Sequence, residues 1–217
     1  MNLFRGVDFY LTDEMLSEEE RRVRDTVRGW VSTRAEPVMA KHFEEGTFPS
    51  HLVGEMAELG VFGANLPEEY GCAGMNNVAY GLLMQELERG DSGLRSFASV
   101  QGALVMHPIF TFGSEEQKNA WLPALATGEK LGCFGLTEPG FGSNPAGMTT
   151  RARKSGGEYI LNGEKMWITS GAIADVAIVW AKLEGDQGGD PVRGFLVETN
   201  RPGFSSSDIH GKWSLRA

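Results

Sequence analysis

Residues 131–145 read Leu-Gly-Cys-Phe-Gly-Leu-Thr-Glu-Pro-Gly-Phe-Gly-Ser-Asn-Pro, and residues 162–169 read Asn-Gly-Glu-Lys-Met-Trp-Ile-Thr. The first run starts as a short apolar strand, Leu131 to Leu136. Pro139 stops it, because proline has no amide hydrogen for a sheet ladder. Gly140 and Gly142 can take positive φ and leave backbone amides unshielded, and Ser143 adds a hydroxyl. A bent backbone with free amides and little side-chain bulk suits a phosphate. The chain then crosses Ser155-Gly156-Gly157 and Asn162-Gly163, and the Asn-Gly pair is a strong hairpin signal. It predicts a strand delivering Trp167, Ile168 and Thr169 to the sheet edge that carries Thr137. The pattern alone also fits a plain β-meander with a core tryptophan.

The residues before 131 read as helices. Ser17-Glu-Glu-Glu20 and Ser114-Glu-Glu-Gln117 are capping boxes. Val23, Val27, Trp30 and Val31 fall on one helical face, and that helix is expected to end before Gly46. A second helix runs near Ser50 to Leu59. A third spans about Asn76 to Arg89 with Val78, Leu82, Leu83 and Leu87 on the core side, and Asp91-Ser92-Gly93 breaks it. A fourth covers about Leu94 to Phe112, bent at Pro108, and a last one reaches Leu125. After Thr169, strands are expected at Val176 to Ala181 and Gly194 to Glu198, a polar loop between them, and a mostly extended run from Phe204 to Trp213. The fold class is therefore α+β: an all-α block at 1–130 and an incomplete antiparallel β-barrel or sandwich at 131–217.

Composition narrows the function. In 217 residues, hydrophobic content is 41% and charged content 23%, as in a globular domain. A net charge of −9 argues against nucleic acid or an anionic membrane as the main partner. Any anionic ligand must be held by local dipoles and a few chosen cations. Cys72 and Cys133 form no disulfide framework, the four histidines show no metal spacing, and no apolar run would span a bilayer. Nothing in Met1 to Asp8 reads as a targeting segment.

The exact wording adds a family. CFGLTEPGFGSN (133–144) and NGEKMWITSG (162–171) closely resemble the flavin-binding middle domain of acyl-CoA dehydrogenases, and LPEEYGCAG (66–74) resembles their N-terminal domain. MQELERGDSGLRSFASVQGALVMHPIFTFGSEEQK (84–118) and GFSSSDIHGKWSLRA (203–217) resemble one subgroup, the glutaryl-CoA dehydrogenases. The resemblance implies FAD-dependent α,β-dehydrogenation of glutaryl-CoA, with loss of carbon dioxide to give crotonyl-CoA. It also implies electron transfer to an electron-transfer flavoprotein, a homotetramer, and the bacterial cytoplasm or the mitochondrial matrix.

By the same resemblance, the cofactor lies along Phe134, Gly135, Leu136, Thr137, Glu138, Pro139, Gly140, Phe141, Gly142 and Ser143. Thr137 faces the pyrimidine end of the ring, and Ser143 the pyrophosphate and the CoA channel. Trp167 covers one side of the ring, with Ile168 beside it, and Thr169 donates near the hydride-accepting nitrogen. Asn144 stands where many relatives carry Asp. Arg95 and Ser96 match the positions holding the distal carboxylate of the acyl chain, with Glu88 paired to the arginine. An isolated arginine would read as a solvated helix-end cation; the DSGLRS context reverses that. The family's catalytic carboxylate is expected beyond Ala217, so the chain resembles the front half of the enzyme and is expected to be inactive alone. Two other readings are a dehydrogenase or oxidase of different acyl specificity and a non-catalytic assembly fragment.

Overall fold

A computed structural model describes residues 8–185 and 191–217. The chain divides into two compact units, one reaching to Glu129 and including His210–Ala217, the other spanning Lys130–Ile209. The expected polar loop at Glu184 to Pro191 lies largely outside the described residues, as do residues 1–7.

The first unit is helical. Helix α1, Glu18–Trp30, opens on the expected capping box: Glu20 N–H donates to Ser17 Oγ, and Ser17 N–H to the Glu20 carboxylate. It passes through a π turn at Val31–Ala35 into α2, Glu36–Glu45, and Gly46 closes it in the left-handed conformation at φ 68°. Helix α3 is Val53–Glu58 and α4 is Asn77–Gly90, capped by Asn76. Asp91 caps α5, Ser92–Ser99, through the Gly93 and Leu94 amides. A π segment, Val100–Met106, links it to α6, His107–Phe112. The distortion thus begins before Pro108. It lies where Gly102 comes so near the Gly63 backbone that a Cβ there would sit 3.0 Å from the Gly63 nitrogen. Helix α7, Glu115–Ala126, starts on the second capping box.

One core assignment fails. Val78 is 50% exposed, and the buried stripe of α4 is Ala79, Leu83, Glu86 and Leu87. Glu86 takes a core position that a sequence pattern reserves for an apolar side chain. Arg28 grips its carboxylate with two nitrogens, at 2.7 and 3.1 Å, and Arg89 adds a third bond at 2.9 Å. Burial alone would raise the Glu86 pKa; the two guanidiniums reverse this and hold it below its ordinary value.

The second unit is one mixed sheet. Strands β1 (Gly132–Gly135), β2 (Arg151–Ser155), β3 (Glu158–Asn162), β4 (Val176–Leu183) and β5 (Val192–Glu198) surround a central β4. Strand β5 pairs antiparallel along one edge of β4; β1 and then β2 pair parallel along the other, and β3 pairs antiparallel with β2. The expected β unit is therefore present, but its sheet is mixed where a wholly antiparallel one was expected. Parallel neighbours cannot be joined by a tight turn, so the chain between β1 and β4 must travel out and back. That excursion contains both motifs that opened the sequence reading.

Two local expectations also change. The hairpin turn is at Gly156-Gly157, with Gly156 at φ 62°. Asn162-Gly163 is no turn: Gly163 leaves β3 pressed against Thr150, and a Cβ there would lie 2.3 Å from Thr150 Oγ1. Residues 163–168 form no strand, and 204–209 run without sheet partners. Burial pushes both free thiols, Cys72 and Cys133, up to about 11, which leaves them inert packing groups.

Glu86→Gln should destabilise the chain by about 3 kcal/mol, the low end for breaking a buried ion pair because both arginines are partly exposed. The check is a lower urea midpoint with an unchanged m-value.

Candidate functional site

Beyond β1 the chain continues through Leu136 and Thr137 into a tight turn, where the Glu138 amide donates to the Phe141 carbonyl (3.2 Å) and the Phe141 amide to the Glu138 carbonyl (3.1 Å). Pro139 and Gly140 form its tip. Neither Gly140 nor Gly142 takes positive φ, contrary to expectation, and a Cβ at either would meet nothing within 4 Å. Nothing within the unit requires glycine there. The amides of Gly140, Gly142 and Ser143 donate to no acceptor among the described residues. Phe141 turns back onto Gly147, where a Cβ would lie 2.3 Å from its ring. Its ring is thus used inside the loop.

The second motif lies against the first. The Met166 amide donates to the Thr137 carbonyl at 2.9 Å, and the Lys165 ammonium to the Leu136 carbonyl at 3.0 Å. Trp167 follows at φ 63° and is 60% exposed, and Ser170 also sits in the left-handed region at φ 62°. Such backbone positions are costly for non-glycine residues and gather at binding sites. Between them, Ile168, expected beside the ring, packs on the Cys133–Ala174–Ala177 cluster and so anchors the loop. The amides of residues 167–169 and the hydroxyls of Thr137 and Thr169 have no partner among the described residues. Those hydroxyls remain accessible, since Trp180 Nε1 is the one buried side-chain polar atom without a partner among the described residues. Phe134 makes an edge contact with Trp180, centroids 5.9 Å apart.

Glu138, expected along the cofactor, is only 3% exposed. Its carboxylate accepts from the amides of Thr149 (2.6 Å) and Thr150 (2.9 Å), from both threonine hydroxyls, and from Lys165 Nζ (2.9 Å). Burial would raise its pKa, but these donors, led by the Thr150 hydroxyl, hold it far below the ordinary carboxylate range. Its side chain is a strut, and only its backbone lines the loop. Thr149, Thr150 and Lys165 were absent from the sequence-derived site. Only the lysine between glycine and tryptophan in the second motif hinted at them.

In the helical unit, Arg95 Nε donates to Glu88 Oε2 at 2.7 Å across the helix break at Asp91, and Ser92 Oγ donates to Glu88 Oε1 at 2.5 Å. These bonds, the Ser92 hydroxyl first, lower the Glu88 pKa. Arg95 Nη1 reaches Ser99 Oγ at 3.4 Å, while Arg95 Nη2 and Ser96 Oγ have no partner among the described residues. The guanidinium is thus oriented along one edge and open along the other.

Past the end of β1 the β unit thus carries unpaired, accessible donors, an exposed tryptophan and an open glycine turn. Residues 17–129 match the family described as acyl-CoA dehydrogenase, N-terminal domain, and residues 133–217 match the acyl-CoA dehydrogenase middle domain. The chain belongs to the acyl-CoA dehydrogenase family. It is 34% identical over 202 residues to the mitochondrial short-chain specific acyl-CoA dehydrogenase of Rattus norvegicus, covering 93% of this chain and 49% of the relative. A crystal structure of a glutaryl-CoA dehydrogenase from Mycobacterium smegmatis in complex with FADH2 is 57% identical with a TM-score of 0.91, over 96% of this chain and 52% of that one. Butyryl-CoA dehydrogenase from Megasphaera elsdenii is 33% identical with a TM-score of 0.81, over 92% of this chain and 52% of that one. The chain spans about half the length of the curated relatives it matches. Among the described residues no helix is long and apolar enough to cross a membrane.

Glu138→Gln leaves Lys165 unpaired and should cost about 3 kcal/mol at neutral pH. Because the folded pKa is depressed, the carboxylate's contribution is complete above its unfolded pKa of about 4.3 and is lost as pH falls below it. The difference in urea midpoint between wild type and variant should therefore be constant above about pH 5 and narrow in more acid solution.

Proposed function

We propose that this chain forms the flavin-ring and acyl-thioester lining of an FAD-dependent acyl-CoA dehydrogenase acting on glutaryl-CoA. The observation that carries the reading is the bond from Met166 to Thr137, which joins the segment after β1 to the segment after β3, the two that carry the unpaired donors and the exposed Trp167. The residues fit the cofactor. Thr137 and Thr169 offer donors for the polar edge of the isoalloxazine ring, and Trp167 offers an apolar cover. The amides at Gly140, Gly142 and Ser143 offer a small-residue cradle for the pyrophosphate. FAD, when bound, supplies the acceptor for the hydride that leaves the β carbon. Donors fixed in place before the reaction stabilise charge that gathers on the ring edge, because they need not reorganise. Glu138 is excluded as the base that takes the α proton, since hydrogen bonds and burial occupy its oxygens.

The acyl specificity rests on Arg95. Glu88 fixes one edge of its guanidinium, and the open Nη2 edge, with the Ser96 hydroxyl, suits a carboxylate at the end of a dicarboxylic acyl chain. The 57% identity to the mycobacterial glutaryl-CoA dehydrogenase supports the same choice. In this reading the product is crotonyl-CoA after decarboxylation, electrons pass to an electron-transfer flavoprotein, and the assembled enzyme is a homotetramer.

FAD should quench the tryptophan emission of the chain, and Trp167→Ala should remove most of that quenching. Arg95→Ala should leave FAD uptake unchanged and weaken glutaryl-CoA binding by about 2–4 kcal/mol, while butyryl-CoA binding stays the same. Calorimetric titration of both thioesters checks this, and equal losses for the two would remove Arg95 from the specificity site.

A further inference from the structure

Lys165 is a largely enclosed, part-buried cation to which the reading above gives no role. Its side chain keeps only 12% of its surface. Its ammonium reaches the Leu136 carbonyl, the Glu138 carboxylate and, at 4.0 Å, Met148 Sδ. Leu136 and Glu138 flank Thr137, and the next residue along, Met166, holds the Thr137 carbonyl. Two consecutive residues of one segment therefore grip two consecutive carbonyls of the other. The Leu136 carbonyl and the Thr137 N–H belong to a single peptide unit. That unit is planar and trans, as are all the described peptide bonds, so its C=O and N–H point in opposite directions. A grip on the carbonyl from one side fixes the N–H on the other, and the Thr137 N–H has no acceptor among the described residues.

We propose that Lys165 is a positioning residue: by holding the Leu136 carbonyl from inside the unit, it aims the Thr137 amide at the bound ring. The identity of the ring rests on the FAD reading; the aiming itself is a property of the ligand-free chain. Lysine suits the task because its compact ammonium has three donors to divide among separate acceptors. Glu138 neutralises it where an unpaired cation could not remain buried. Its own fixation by Thr149 and Thr150 carries the restraint on to β2, which Thr150 immediately precedes.

The test uses the isotopically labelled chain with Lys165→Met, and with the charge-neutral double variant Glu138→Gln/Lys165→Met in case the single variant does not fold. Without ligand, the one-bond N–H residual dipolar coupling of Thr137 should change while those of β4 and β5 stay as in wild type. An unchanged Thr137 coupling overturns the proposal. With FAD added, wild type should show a downfield shift of the Thr137 amide proton. The variants should lose that shift, bind FAD about tenfold more weakly, the scale of one charge-stabilised hydrogen bond, and change the flavin midpoint potential. A full Thr137 shift together with an unaltered potential in the variants also overturns it, because a lysine that merely stabilised the fold would leave both intact. If wild type takes up no FAD, the flavin reading fails, and the ligand-free coupling still decides the role of Lys165.

Discussion

A carboxylate buried without partners costs more than most domains can sustain, and the β unit is arranged so that Glu138 never is. Its donors come from two separate places, the run into β2 at Thr149 and Thr150 and the crossover at Lys165, while its own loop is closed by the main-chain bonds between Glu138 and Phe141. None of these segments could shift alone without stripping hydrogen bonds from an ion that has no access to water. The loop that presents Thr137 and the loop that presents Trp167 are thereby fixed to each other, and the fold of the whole excursion between β1 and β4 follows from that fixation.

The helical unit uses the same device. Glu86 is a fully buried acid held by Arg28 and Arg89, which ties α1 to α4. In both units the interior acid is saturated with donors, while the polar groups assigned to ligands stand unpaired at the rim. That contrast separates the two kinds of charged or polar residue here. Glu86 and Glu138 are acids at work inside the protein. Thr137, Thr169 and the open edge of Arg95 are donors left over once the interior has been satisfied.

Much of this was legible in the sequence, and the reasons differ by element. The capping boxes at Ser17 and Ser114 were readable because capping is a contact between residues three apart. Gly46 and the Gly156-Gly157 turn were readable for the same local reason. The strand pairing was not, since parallel registry between β1 and β4 depends on residues more than 40 positions apart. Asn162-Gly163 misled because the same glycine that permits a turn also permits close passage of two chains, and only Thr150 reveals which applies. Glu138 was expected along the cofactor from its place in the glycine loop, and that its side chain turns inward depends on donors at Thr149, Thr150 and Lys165 that the local sequence does not name. Val78 shows that helical periodicity fixes the direction of a buried stripe less tightly than its existence.

The open turn at Gly140 and Gly142 links these points to the ligand. Glycine is normally retained for a backbone angle or for close packing, and neither holds at these positions. What the small residues do provide is room outside the chain, next to amides that no internal carbonyl has claimed. In a protein with net charge −9, an anionic group cannot be drawn by the overall field. It must be met at short range by oriented dipoles, where partial desolvation makes each of them stronger than in open water. The turn supplies such dipoles without adding a cation, so the attraction is confined to the few ångströms in which the proposed reading would lay the pyrophosphate.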